Sequence, residues 1–235
     1  GLAFFYGGLV RKKSILSILM QCFMVLCVIS VQWVVVGYSL SFGPSLGGFI
    51  GDLSWFGMNG VDMSSSSYAP KIPHQAFAIF QMMFAVITPG LIIGAFAERM
   101  RFSAFCLFSL LWATFVYDPV AHWVWGKGGF LGVQGGAGAV DFAGGAVVHI
   151  NAGMAALAAA LFLGRRKGYP VTTSPPHNLP VAVLGAGLLW FGWFGFNAGS
   201  ALAANGVAVS AFMATHVAGA TAGLVWSILD WIKHG

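Results

Sequence analysis

Charge is what this chain has least of. Of 235 residues only 7% are Asp, Glu, Lys or Arg, and just six are acidic. A soluble domain carries about 25% charged residues, so this chain cannot cover a water-facing surface. Cysteine is also scarce. Cys22, Cys27 and Cys106 lie inside apolar runs without metal-ligand spacing and read as small hydrophobes. No secretory leader, separate soluble domain or short-period repeat is legible. The formal charge of +5 does not point to nucleic acid, because the basic residues sit in short clusters between apolar runs. Nucleophile and base side chains do not meet at matched depth, so no enzyme is expected.

What is abundant is apolar sequence, at 58%, together with 33 glycines. In a membrane chain, glycine allows close helix packing. Seven apolar segments follow one another: Gly1–Val10, Ile15–Leu40, Ala76–Ala97, Phe102–Trp125, Ala143–Leu163, Pro180–Asn205 and Val207–Leu229. All but the first are long enough to span, since about 20 residues cross a core of about 30 Å. The first covers about 15 Å at ~1.5 Å per residue. It reads as the end of a helix, and the chain as truncated at both ends. The fold class expected is an all-α polytopic membrane protein, residues 1–235 forming one membrane domain.

Connector charges set the orientation. Arg11, Lys12, Lys13, Arg99, Arg101, Arg165, Arg166, Lys167 and Lys233 fall on one side, against Lys71 and Lys127 on the other. By the positive-inside rule the first set is cytoplasmic. The loops 43–73 and 118–140 are then external. The first is Gly- and Ser-rich and reads as irregular, with Trp55 at the interface. The connector 164–179 holds three prolines and cannot be helical throughout; its His177 reads as a solvated loop residue.

His149 is the most informative residue. An ionisable side chain at bilayer depth usually faces a cavity, a partner or a transport path. It lies eight residues beyond Asp141, about 12 Å along a helix. Gly145 and Gly153, at i−4 and i+4, would let another helix approach. Asp141, at the external end, suits a helix N-cap and the helix dipole. Phe80 and Phe84, four apart, share a helix face, ordinarily core or lipid-facing. Trp125 alone would read as an interfacial tryptophan, Ser200 as bonded to its own backbone, and Trp193 as helix packing.

Six blocks in order make the chain resemble the ammonium transporter (Amt/Mep/Rh) family. They are Leu2–Lys13 (LAFFYGGLVRKK), Phe80–Ala85 (FQMMFA), Gly94–Arg99 (GAFAER), Ala121–Gly126 (AHWVWG), Asp141–Asn151 (DFAGGAVVHIN) and Trp193–Ser200 (WFGFNAGS). The resemblance implies eleven spans built as two inverted five-helix repeats, of which about seven are here, the first partial. It assigns Trp125, Phe84 and Ser200 to an external aromatic cage for ammonium, with Asp141 stabilising the cation indirectly. Phe84 and Phe196 would gate the pore, and Phe80 and Trp193 are further pore candidates. His149 would be one of two pore histidines, its partner expected beyond Gly235 because the context of His216 does not match. No cofactor is implied. A homotrimer in the cell membrane serving nitrogen uptake, controlled by a PII-type protein at the cytoplasmic face, is implied by the same resemblance. Two other functions stay open: an ammonium sensor module of a larger signalling protein, and a membrane haem protein using His149 and His216. The differing depths of those histidines weigh against haem.

Overall fold

The computed structural model describes residues 1–133, 135–166, 168–171 and 175–235. A short helix α1 (Leu2–Leu9) comes first. Six longer helices follow among the described residues: α2 (Lys12–Phe42), α3 (His74–Phe96), α4 (Phe102–Trp125), α5 (Gly145–Leu163), α6 (Leu179–Ala201) and α7 (Gly206–His234). Each is long and apolar enough to cross a membrane. This is a multi-pass architecture, and each expected spanning segment corresponds to one helix.

The differences are local. Residues 118–125 are the last turns of α4, not loop, and Asp118 is fully buried. Its carboxyl group accepts from Gln32 Nε2 at 2.6 Å and from Ser41 Oγ at 3.4 Å, so an ionisable side chain sits inside the bundle because α2 satisfies it. Both helices carry a π-turn close by, Trp33–Gly37 and Ala113–Tyr117. A π-turn inserts one residue and re-aims the side chains that follow; Asp118 comes directly after its π-turn and meets Gln32, which stands directly before the other. The 43–73 loop is more ordered than its composition implies. It forms two small antiparallel pairs, Ser45–Leu46 with Ile50–Gly51 and Ser65–Ser66 with Ala69–Pro73. Trp55 is half-buried and stacks on Tyr38 with centroids 5.3 Å apart.

The basic connectors gather at one end of the bundle. Arg11 bonds both oxygens of Glu98, at 2.8 and 2.5 Å, and Ser14 Oγ adds a third bond at 2.7 Å. The Arg11 guanidinium thereby holds Glu98 below the usual carboxylate range. Arg99 donates to Gly164 O and Arg166 to Gly94 O. His177 is half-buried and meets Val10 O at 3.1 Å, so it ties a connector to α1 instead of being free in solvent. Lys167 lies outside the described residues.

α1 and α6 touch through glycine. A Cβ on Gly8 would lie 2.5 Å from Asn178 O, and one on Gly185 would collide with the backbone N of Phe5. Gly185→Val is therefore expected to push the two helices apart, at a cost of about 1–3 kcal/mol typical of overpacking. Unfolding of the purified protein in detergent, compared with Gly187→Val where the added Cβ meets nothing within 4 Å, checks this.

Candidate functional site

A cavity of about 170 Å³ opens at the end of the bundle opposite the basic connectors. Phe80 and Phe84 of α3, Trp125 of α4, Asp141 before α5 and Ser200 at the end of α6 all line it. Four separate helices thus deliver the side chains singled out in the sequence to one place.

The entrance to α5 explains Asp141. The chain is not helical from 141 to 144, and Gly144 adopts φ +99°, a conformation open to glycine. The helix begins at Gly145 with a π-turn through Ile150, so the 12 Å of straight helix expected between Asp141 and His149 is not what separates them. The Asp141 carboxylate folds over this start. Oδ1 accepts from the N–H groups of Gly144 and Gly145 at 2.6 and 2.9 Å, and Oδ2 from those of Ala146 and Val147 at 2.8 and 2.9 Å. Four N–H groups that a helix start would leave orphaned are satisfied by one side chain. All four bonds run to the carboxylate oxygens, so their lone pairs are engaged. Its backbone carbonyl accepts from Trp125 Nε1 at 2.8 Å, which fixes the indole beside the cavity.

Ser200 lies in a 3-10 turn, Gly199–Ala201, after the α-helical part of α6 ends at Asn197. The helix therefore stops short of the expected boundary at Asn205. Ser200 Oγ donates to Phe196 O at 2.8 Å. With its proton committed to its own backbone, the hydroxyl oxygen faces the cavity as an acceptor.

Beyond the cavity the rings continue in series. Trp125 meets Phe84 edge-on at 5.7 Å, and Phe84 meets Phe196 at 4.5 Å. Phe196 lies 5.8 Å from the His149 ring, and Trp193 stacks on that imidazole at 5.6 Å with planes within 7°. His149 is thus separated from the cavity by the Phe84–Phe196 pair. The glycines on its helix do not receive a neighbour as expected: a Cβ on Gly145 or Gly153 would meet no atom within 4 Å. His216 packs against Trp190 and Phe194 on a different face of α6, so His149 and His216 do not converge. Among the described residues no group of three or more His, Cys, Asp or Glu gathers in a metal-binding arrangement.

Six lining residues escaped sequence reasoning, Gln81, Phe142 and Leu202 among them. Tyr68, Phe42 and Phe77 also border the cavity. Tyr68 comes from the Ser-rich loop, where no periodicity points to a site. Phe42 and Phe77 look like ordinary apolar residues at helix ends.

The Ammonium Transporter Family model matches residues 1–235. The chain belongs to that family. It is 53% identical over 232 residues to an ammonium transporter of Bacillus subtilis (strain 168), covering 99% of this chain and 56% of that protein. Among solved structures it resembles Saccharomyces cerevisiae Mep2, with a TM-score of 0.89 and 40% identity over 100% of this chain and 53% of Mep2. A structure described as a sensor Amt protein is also similar, with a TM-score of 0.85 and 32% identity over 99% of this chain and 58% of that one. The chain thus has the ammonium-transporter fold and spans about half the length of the curated relatives it matches. Family members with this likeness are named as transporters rather than enzymes.

Proposed function

We propose that this chain forms the N-terminal part of an ammonium transporter, and that its cavity recruits ammonium from the external side of the cell membrane. The observation that carries the reading is the convergence of Trp125, Phe84 and the accepting oxygen of Ser200 on one cavity beside the charged but fully engaged Asp141. Ammonium and potassium are of similar size. Aromatic faces attract either cation, each favourable contact contributing about 0.5–2 kcal/mol. A hydroxyl oxygen accepts a hydrogen bond that ammonium can donate and potassium cannot. Asp141 adds negative potential without binding the ion directly, so the ion is not trapped. The Phe84–Phe196 pair then blocks a hydrated ion. Ammonium gives up a proton to water on the cavity side of the rings, and NH3 passes the rings toward His149, whose imidazole lines the apolar route. Phe80 and Trp193 pack around the same path.

The family resemblance extends this reading to a homotrimer that takes up nitrogen and answers to a PII-type protein at the cytoplasmic face. The likeness to the sensor protein supports a second reading, in which the same recruiting cavity reports ammonium to a signalling domain.

Trp125→Ala is the direct test. In the full-length transporter it should raise the methylammonium concentration for half-saturation about 2- to 30-fold, the equivalent of one lost cation–π contact. Uptake assays at matched expression measure this. Unchanged saturation would remove the cage.

A further inference from the structure

At the rim of the cavity one aromatic ring already carries an ammonium group, and that group belongs to the chain. Lys127 Nζ lies 5.3 Å from the centroid of the Tyr68 ring, within cation–π range. The ring is held in place from several directions. Tyr68 Oη accepts from the backbone N–H of Lys127 at 2.8 Å and donates to Phe42 O at 2.9 Å. Phe77 stacks on it with centroids 5.4 Å apart and planes within 9°, and Phe42 meets it edge-on at 5.2 Å. Burial pushes the phenol up to about 12, so its proton and its bond to Phe42 persist at neutral pH. Among the described residues no carboxylate is paired with Lys127. Tyr68 is at once a wall of the cavity and the seat of this lysine.

We propose that Tyr68 is an outer cation station of the cavity, occupied at rest by the Lys127 ammonium, which competes there with ammonium arriving from solution. The inference rests on the reading of the cavity as an ammonium-recruiting site. A lysine head group and ammonium present the same charge and the same kind of N–H donor, three on the lysine and four on the free ion, so a ring face that holds one accepts the other. Because Lys127 is tethered, its effective concentration at the ring is of millimolar order, and dilute ammonium must displace it. An ion already in the cavity also feels the lysine as a like charge. Both effects make Lys127 a determinant of apparent affinity.

The experiment measures methylammonium half-saturation in the full-length transporter for Lys127→Gln, Lys127→Arg, Tyr68→Phe and Tyr68→Leu, and for Lys127→Gln combined with each Tyr68 variant, with Trp125→Ala alongside. Lys127→Gln should lower half-saturation by about threefold or more, the scale of one partly screened like charge. Lys127→Arg should leave it near the parent value. In the Tyr68→Phe background, which keeps the ring, the effect of Lys127→Gln should persist in full; in the Tyr68→Leu background it should shrink to the like-charge part alone. Unchanged or raised half-saturation in Lys127→Gln overturns the proposal. So does a Lys127→Gln effect that survives undiminished without the ring, which would make Lys127 a distant charge and not an occupant of Tyr68. A Trp125→Ala variant that saturates normally would instead sink the reading of the cavity itself. If Tyr68→Leu fails to reach the membrane, Tyr68→Met with and without Lys127→Gln takes its place, since Lys127 itself sits in a partly exposed turn.

Discussion

Replacing Asp141 with Ala is expected to destabilise the entrance to α5 by about 3 kcal/mol or more, since hydrogen bonds to a charged acceptor contribute about 1.5–3 kcal/mol each. Four backbone N–H groups lose their acceptor in one step, and water entering the cavity replaces only part of what is lost. Asp141→Asn should be nearly as damaging. Its single carbonyl can serve one pair of N–H groups, while its amide NH2 turns two donors toward the other pair. An ordinary N-cap, with one bond to satisfy, would tolerate Asn well. The comparison therefore separates a four-bond clasp from a simple cap. Thermal unfolding in detergent should order the variants as Asp, then Asn close to Ala. An Asn variant as stable as the parent would show that the clasp contributes little.

A second expected result is all-or-none. Residues 1–235 reconstituted alone should give no selective, saturable ammonium flux, whereas the full-length transporter should. The physical reason lies in faces that have no cover. No residue of α7 is buried, and in the α-helical part of α6 only Ala182 and Gly185 are. His216 is exposed on α7, a costly position for an ionisable group if only lipid surrounds it. The glycine face beside His149 is open, with nothing within 4 Å of an added Cβ at Gly145 or Gly153. Transporters built from repeats place their sites between them, and a route with one wall leaks or collapses. Liposomes carrying matched amounts of each protein, with internal pH followed after an ammonium jump, provide the measurement. Flux through the 235-residue chain at the full-length rate would mean that the route is closed within it.

Much of this protein follows from local sequence. Low charge and six long apolar runs determine that helices span a membrane, because lipid offers unsatisfied backbone groups no partner. Basic clusters mark one end of the bundle, and the contacts among Arg11, Glu98, Arg99, Gly164, Arg166 and Gly94 join those connectors there. The motif blocks around Trp125, Asp141, His149 and Phe196 were legible as words in a family vocabulary.

Other features depended on tertiary structure. Asp118 looked like the start of a loop; Gln32 and Ser41 on another helix make its burial tolerable. The π-turns in α2, α4 and α5 shift side-chain direction by one residue, and composition carries no signal for them. Tyr68 reaches the cavity because its loop folds back over α2, α3 and the turn after α4, a placement set by hydrogen bonds to Phe42 and Lys127. Sequence by itself determined which segments enter the membrane and which end of the bundle is basic, because hydropathy and charge act residue by residue. The meeting of Trp125, Phe84, Ser200 and Tyr68 around one cavity was decided by tertiary structure, because it depends on packing between segments far apart in the chain.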